Sequence, residues 1–142
     1  MNAQDRAERQ ILGLLLLHPI FWHEVQQNLH VEHFTDEMRR RLAQIFWDHC
    51  RNEGDPIFSE FLTPLNQAGL AELAINLVEE CQPISEADVA KSLSLDIEYI
   101  QRADSERQAR LFVSKLKDKS APSEEQVLRD LMELAKGRKK NI

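Results

Sequence analysis

Apolar residues recur at helical spacing along most of the chain. In the first segment, residues 4–17, they lie three and four positions apart, which is the spacing of one helix face. Gly13 lies inside this helix, where a glycine allows close approach by a neighbouring helix. His18 and Pro19 end the helix, and a short second helix is expected from Ile20 to about Leu29.

The middle of the chain predicts further amphipathic helices separated by breaks. Thr35 is the expected N-cap of a third helix. The apolar face of that helix is expected to consist of Met38, Leu42, Ile45 and Phe46. The segment 52–56 ends it, and a short helix follows before Thr63-Pro64, which is expected to cap and start a new turn. Residues 70–78 repeat the amphipathic spacing.

One long helix is expected from about 85 to 119, where neither proline nor glycine occurs. Its core-facing residues are Val89, Leu93, Ile97 and Ile100. Residues 101–110 are polar on nearly every side, a pattern typical of a helix that crosses solvent between two packed units. A tight connection at 119–122 precedes a last helix, so residues 111–137 are expected to form an antiparallel helical hairpin.

Together these patterns predict an all-α fold with two subdomains. Residues 1–100 form a globular helical bundle, and residues 101–142 contain the end of a long exposed connecting helix and a C-terminal helical hairpin. The composition agrees, because 4 glycines and 5 prolines are too few for a typical β-rich chain with many tight turns.

Charge divides the chain at the same place. Seven basic and 17 acidic residues give residues 1–100 a charge of −10, whereas eleven basic and seven acidic residues give residues 101–142 a charge of +4. The overall charge of −6 argues against a protein that coats nucleic acid. The division predicts that binding of the C-terminal hairpin to an acidic partner surface weakens as salt rises.

Cysteine usage and the apolar runs indicate a cytoplasmic protein. Cys50 and Cys81 are the only cysteines and do not form a CxxC pair, which favours a reduced location. The longest apolar run, Ile11–Leu17, is far shorter than the ~20 residues that cross a bilayer. Asp5 and Glu8 precede it, in place of the basic start of a signal peptide.

No pattern predicts catalytic residues, a cofactor or a metal. The candidate metal ligands are the five histidines, His18, His23, His30, His33 and His49. His23 and Glu24 begin an HExxH pattern, but Gln27 occupies the second ligand position. There is no GxSxG motif, and the glycines stand alone, so no loop is expected to bind phosphate. A metal-dependent enzyme that uses the His18–His49 cluster is kept as an alternative.

Two basic runs are candidates for phosphate contact. Arg39, Arg40 and Arg41 point in three directions on a helix, so we expect them to be exposed to solvent. The tail 138–140 suits the negative end of a helix dipole. A helical DNA-binding module is therefore a third hypothesis, which predicts salt-dependent DNA binding through these residues.

The last helix carries more apolar side chains than a two-helix hairpin can bury. The residues spaced to face the long helix are Val127, Leu131 and Leu134. The residues left to one side are Leu128, Met132 and Ala135. Apolar surface left over on a small hairpin is a natural docking element. The alternative is that the hairpin folds back on the body.

The opening residues 7–19, AERQILGLLLLHP, resemble the start of the C-terminal helicase-binding domain of bacterial DnaG-type primases. Residues 123–140, with their leucine-rich helix and basic end, are similar to the end of those primases. The layout between them, a helical body followed by a long helix and a terminal hairpin, also matches. The resemblance covers nearly the whole chain.

This resemblance implies a non-catalytic segment of a primase, whose parent chain is a DNA-directed RNA polymerase. The implied partner is the N-terminal domain of the hexameric replicative helicase, so that primers are laid down where DNA is unwound. DNA would be contacted only indirectly, through the parent primase and the helicase. The interface implied on this chain comprises Leu128, Met132, Ala135 and Arg138.

The N-terminal domain of the replicative helicase is the alternative within the same resemblance, because it has a similar fold and a similar first helix. In the helicase, a linker and an ATPase domain follow the hairpin. The sequence here stops at Ile142, which favours the primase. Met1-Asn2-Ala3 is then expected to be an added start, downstream of the zinc-binding and polymerase domains of the primase.

Overall fold

The computed structural model describes residues 1–118 and 128–134, and the regular structure of these residues is helical. The helices are α1 (Ala3–Leu17), α2 (Trp22–Asn28), α3 (Glu37–Glu53), α4 (Phe58–Gln67), α5 (Ala71–Cys81), α6 (Glu86–Asp118) and α7 (residues 128–134). Short 3-10 turns at Pro19–Phe21 and Val31–His33 flank α2. The predicted all-α class is confirmed, and none of the described helices is both long and apolar enough to span a membrane.

The chain divides into two compact units, Met1–Asp104 and Ser105–Ile142. The division falls inside α6, whereas the sequence predicts a boundary at residue 100. Helix α6 occupies almost the whole range expected for the long helix. The connection expected at 119–122 lies outside the described residues, so the hairpin remains a prediction.

The core of the first unit is built around α1, which makes its most extensive contacts with α5. Gly13 lies where these two helices meet. A Cβ at this position would stand 2.5 Å from the Cys81 sulfur and 2.5 Å from the Leu77 carbonyl oxygen. The predicted close approach at Gly13 is therefore confirmed, and the neighbouring helix is α5. The core residues of α1 are Ile11, Leu12, Leu14 and Leu15, all essentially inaccessible to solvent.

Helix α3 is capped by Asp36, so the prediction of Thr35 as its N-cap is wrong. The Asp36 carboxylate accepts a hydrogen bond of 3.1 Å from the backbone N–H of Arg39. Thr35 does not serve as the cap because both its N–H and its hydroxyl donate to the carboxylate of Glu8. The hydrogen bonds of Thr35 to Glu8 on α1 therefore replace the helix cap that the sequence predicts.

The buried face of α3 is also rotated relative to the prediction. Leu42 and Phe46 are buried as expected, Ile45 is half-buried, and Met38 is exposed. The residues that α3 buries are Arg39, Leu42, Ala43, Phe46, Trp47 and Cys50. Arg39 turns inward because its acidic partner is buried on α1, and this orientation leaves Met38 at the surface.

Helix α4 continues through Pro64, where the sequence predicts a new turn. A proline there cannot donate a hydrogen bond to the carbonyl four residues earlier. Phe61 and Leu65, on either side of it in sequence, are both buried in the core. Their burial offsets the loss of one backbone hydrogen bond, so the helix is not broken. It ends at Gln67, and Gly69 turns the chain with a φ of +76°.

Candidate functional site

The predicted partner interface falls in the second unit. Leu128 and Met132 lie on α7, and each side chain is 58% exposed. Leu131 and Leu134, which are expected to face the long helix, are less exposed, at 40% and 38%. Residues four positions apart share a helix face, so Leu128 and Met132 present one apolar surface.

The positions of three residues of the predicted hairpin remain predictions. Val127, Ala135 and Arg138 lie outside the described residues. The described part of the interface therefore rests on Leu128 and Met132.

A further exposed apolar residue of the second unit is Leu111, which the sequence did not single out as an interface residue. Its side chain is 58% exposed on α6. It lines an open cavity of about 360 Å³ together with Arg107, Arg110 and Ser114. The signal that would have found it is a leucine at the end of a polar stretch, with arginines one and four positions earlier.

The candidate metal ligands do not gather at one place. His30 and His33 stack with ring centroids 5.6 Å apart, and His33 Nδ1 accepts a hydrogen bond from the His30 backbone N–H. His49 packs edge-on against Phe61, and its Nδ1 lies 3.2 Å from the Glu53 carboxylate. In the part of the chain that the structure describes, no group of three or more His, Cys, Asp or Glu side chains is placed to hold a metal ion.

The arginine run on α3 has structural partners. The expected solvated face is wrong for Arg39, which is buried. Arg40 is exposed, and its Nε donates to the Phe34 carbonyl at 3.0 Å. Arg41, also exposed, donates to the Ala68 carbonyl at 2.9 Å. These two guanidinium groups tie α3 to the segments that precede it and that follow α4.

Glu8 carries the most completely buried charge among the described residues, and it is held by four donors. Its carboxylate accepts from Thr35 N–H at 3.0 Å, Thr35 Oγ1 at 2.6 Å, Arg39 Nε at 3.1 Å and Gln4 Nε2 at 2.8 Å. Arg39 also donates to Asp5 at 2.6 Å. A buried charge is tolerated when it is paired and hydrogen-bonded in this way. The cluster therefore joins α1 to α3.

Sequence reasoning missed this cluster, although α1 carries a signal for it. Glu8 lies between Ala7 and Ile11 on the apolar face of the helix, at the same helical position as residues of the core. A carboxylate at such a position needs a cationic partner elsewhere in the chain. Spacing alone does not identify Arg39 as that partner.

Both cysteines are buried and free. Burial raises the pKa of the Cys50 thiol to about 12, with a smaller contribution from the negative charge of Asp55. Burial likewise raises the pKa of the Cys81 thiol to about 11. Because the thiolate is the reactive form, neither side chain is placed to act as a nucleophile at neutral pH.

In the first unit, the buried polar side chains Glu8 and Arg39 have a structural role. In the described part of the second unit, Leu111, Leu128 and Met132 are exposed, and Arg107 and Arg110 lie beside Leu111. Comparisons of the chain with protein-family models, with curated proteins and with solved structures found no match.

Proposed function

We propose that the chain is a protein–protein interaction module of the kind that DnaG-type primases use to bind the replicative helicase. In this role the segment catalyses no reaction. It holds the primase on the N-terminal domain of the hexameric helicase in the cytoplasm and so couples primer synthesis to unwinding at the fork. The observation that carries the proposal is the exposure of Leu128 and Met132 on one face of α7.

Burial of this face supplies binding energy. Covering the exposed half of a Leu or Met side chain contributes on the order of 1 kcal/mol. A few such residues near the centre of an interface usually dominate its affinity. Leu111, with Arg107 and Arg110 beside it, would add an apolar contact flanked by positive charge.

The positions of the family-like residues also support the proposal. The leucine-rich start of the resemblance, residues 11–16, is buried in the core of the first unit, where it determines the fold. The resemblance at the other end of the chain includes α7, whose leucines and methionine are exposed. Residues that stabilise a fold are expected to be buried, and residues that bind a partner are expected to be exposed.

Calorimetric titration of the chain into the folded helicase N-terminal domain tests the proposal directly. We expect binding at micromolar concentrations that weakens when salt is raised, because the second unit is basic and its partner surface would be acidic. Failure to bind at concentrations on the order of tens of micromolar would contradict it.

The same titration separates the proposal from its alternatives. If the chain is instead the helicase domain of this fold, it should bind the helicase-binding domain of a primase and not the helicase. A metal-dependent enzyme should carry stoichiometric zinc or iron after purification without a histidine tag. A DNA-binding module should bind duplex DNA with a strong salt dependence.

A further inference from the structure

A groove of about 700 Å³ lies in the first unit, between the end of α3 and the start of α4. Its apolar lining is formed by Ile45, Pro56, Ile57, Phe61 and Pro64. A space of this size accommodates one or two large side chains, since small-ligand pockets commonly measure about 300–1,000 Å³.

Ile57 is the exposed apolar side chain of this groove. It is 61% exposed, directly before α4, while Phe61 one helical turn later is buried and forms part of the floor. The Phe61 ring is held from two sides, by Phe46 in the core and by His49. The groove therefore combines a fixed aromatic base with an aliphatic side chain that is open to solvent.

Gly54 and Pro56 determine the path of the loop that shapes the groove. Gly54 has a φ of +86°, a conformation that L side chains rarely adopt, and it ends α3. Pro56 follows two residues later; its ring fixes its own φ, and its burial anchors the loop. A site that is already formed loses little conformational entropy when a partner binds.

The polar side chains around this apolar floor are predominantly acidic. Asp48 and Glu53 already have partners, in Arg51 at 3.5 Å and His49 at 3.2 Å. Asp55 and Glu60 are exposed and make no ion pair with another described residue. Two carboxylates thus flank the exposed Ile57 without a neutralising cation from the part of the chain that the structure describes.

We propose that this groove docks a basic peptide segment of another protein, one that presents an aliphatic or aromatic side chain between lysines or arginines. The side chain would pack on Ile57 and Phe61, and the basic groups would pair with Asp55 and Glu60. The occupant follows from charge, because a phosphate backbone, an anionic membrane surface or an acidic peptide would be repelled here. A second copy of the first unit is disfavoured for the same reason, since residues 1–100 carry −10.

This inference is independent of the proposed function. The groove belongs to the first unit, whereas the predicted helicase interface belongs to the second. Loss of one interaction would therefore leave the other unchanged, and the two proposals can fail separately.

The test is an NMR titration of the full chain with a defined probe, a short peptide in which Leu-Trp is flanked on each side by two basic residues. The matched control peptide replaces the four basic residues with acidic ones. We expect the basic peptide to shift the backbone resonances of residues 49–61, and its affinity to fall at least about fivefold between low and high salt. The acidic peptide should produce no such shifts.

Variants locate the contact. Asp55→Asn combined with Glu60→Gln should weaken the basic peptide at least about fivefold, and Ile57→Ser should weaken it as well. The matched control, Glu72→Gln with Glu79→Gln, removes two exposed carboxylates of α5 and should change the affinity by less than about twofold.

Three results of the peptide titrations would overturn the proposal. These are resonance shifts outside the groove, an acidic peptide that binds as well as the basic one, or an equal loss in the control variant. Sedimentation that shows self-association of the wild-type chain, abolished by Ile57→Ser, would assign the groove to a second copy instead. The NMR titration of the wild-type chain locates the peptide-binding site even if one variant does not fold.

Discussion

Leucines on the helices of the two units have opposite environments. Leu12 and Leu15 of α1 are completely buried, whereas Leu128 of α7 and Leu111 of α6 are each 58% exposed. The first unit has an extended apolar core that also contains an ion pair, and Ile57 and Leu95 are among its exposed apolar residues. The described part of the second unit exposes Leu111, Leu128 and Met132. The difference shows that periodicity identifies an apolar face but not what covers it.

The largest expected effect on stability comes from separating the buried ion pair. Arg39→Ala leaves the Glu8 carboxylate buried without its cation, and we expect a loss of about 3–5 kcal/mol in the free energy of unfolding. Urea denaturation measures it. As a control, Arg40→Ala removes the exposed guanidinium of the next residue and should lower the free energy of unfolding by about 1 kcal/mol. A loss below about 1 kcal/mol for Arg39→Ala would mean that the cluster does not hold α1 to α3.

The next largest effect concerns the approach of α1 to α5. Gly13→Ala places a Cβ 2.5 Å from both Leu77 and Cys81, and we expect it to destabilise by about 1–3 kcal/mol in spite of the higher helix propensity of alanine. Thermal denaturation followed by circular dichroism measures the change. In a Cys81→Ala background the cost should be smaller, because one of the two close contacts is gone. A stabilising Gly13→Ala would contradict the described packing.

Asp96 offers a smaller, pH-dependent effect in the first unit. Burial raises the pKa of its carboxyl from 3.8 to about 7. The folded protein therefore holds this proton more tightly than the unfolded chain, and the residue lowers stability progressively as the pH rises from about 4 to about 7. Arg6 and Gln10 line the same cavity as Asp96.

We expect Asp96→Asn to stabilise the protein by about 1 kcal/mol at about pH 8, after discounting for its partial exposure, and by much less near pH 4. Denaturation of both proteins across this pH range measures the difference. Glu72→Gln serves as the control for loss of one surface charge. A gain that does not depend on pH would show that the carboxyl is not the cause.

The sequence was sufficient where one local pattern determines the outcome. The range of α6 and the end of α1 at His18 follow from residues adjacent in the chain. Gly13 likewise marked a close approach, although the sequence did not identify α5 as the neighbouring helix. The sequence was insufficient where a residue far away in the chain determines the local structure. Thr35 fails to cap α3 because Glu8, 27 positions away, accepts its hydrogen bonds.

Pro64 shows the same limit in a different form. A proline after a threonine is a common start of a helical turn, and local preference alone predicts one. The burial of Phe61 and Leu65 keeps α4 continuous instead. For the candidate interface, the spacing of α7 predicted which side chains share a face, but Leu111 carried too little local signal to be singled out.

The central claim is that the exposed face of α7 serves a partner and not the fold. Leu128→Asp with Met132→Asp tests it most directly, with Leu95→Asp, another exposed leucine, on the part of α6 within the first unit, as the matched control. The measurement is the calorimetric affinity for the helicase N-terminal domain, alongside the unfolding free energy. We expect the double variant to bind at least about tenfold more weakly while its stability changes by less than about 1 kcal/mol, and the control to bind like wild type. Unchanged affinity of the double variant, or a large loss of stability, would contradict the claim.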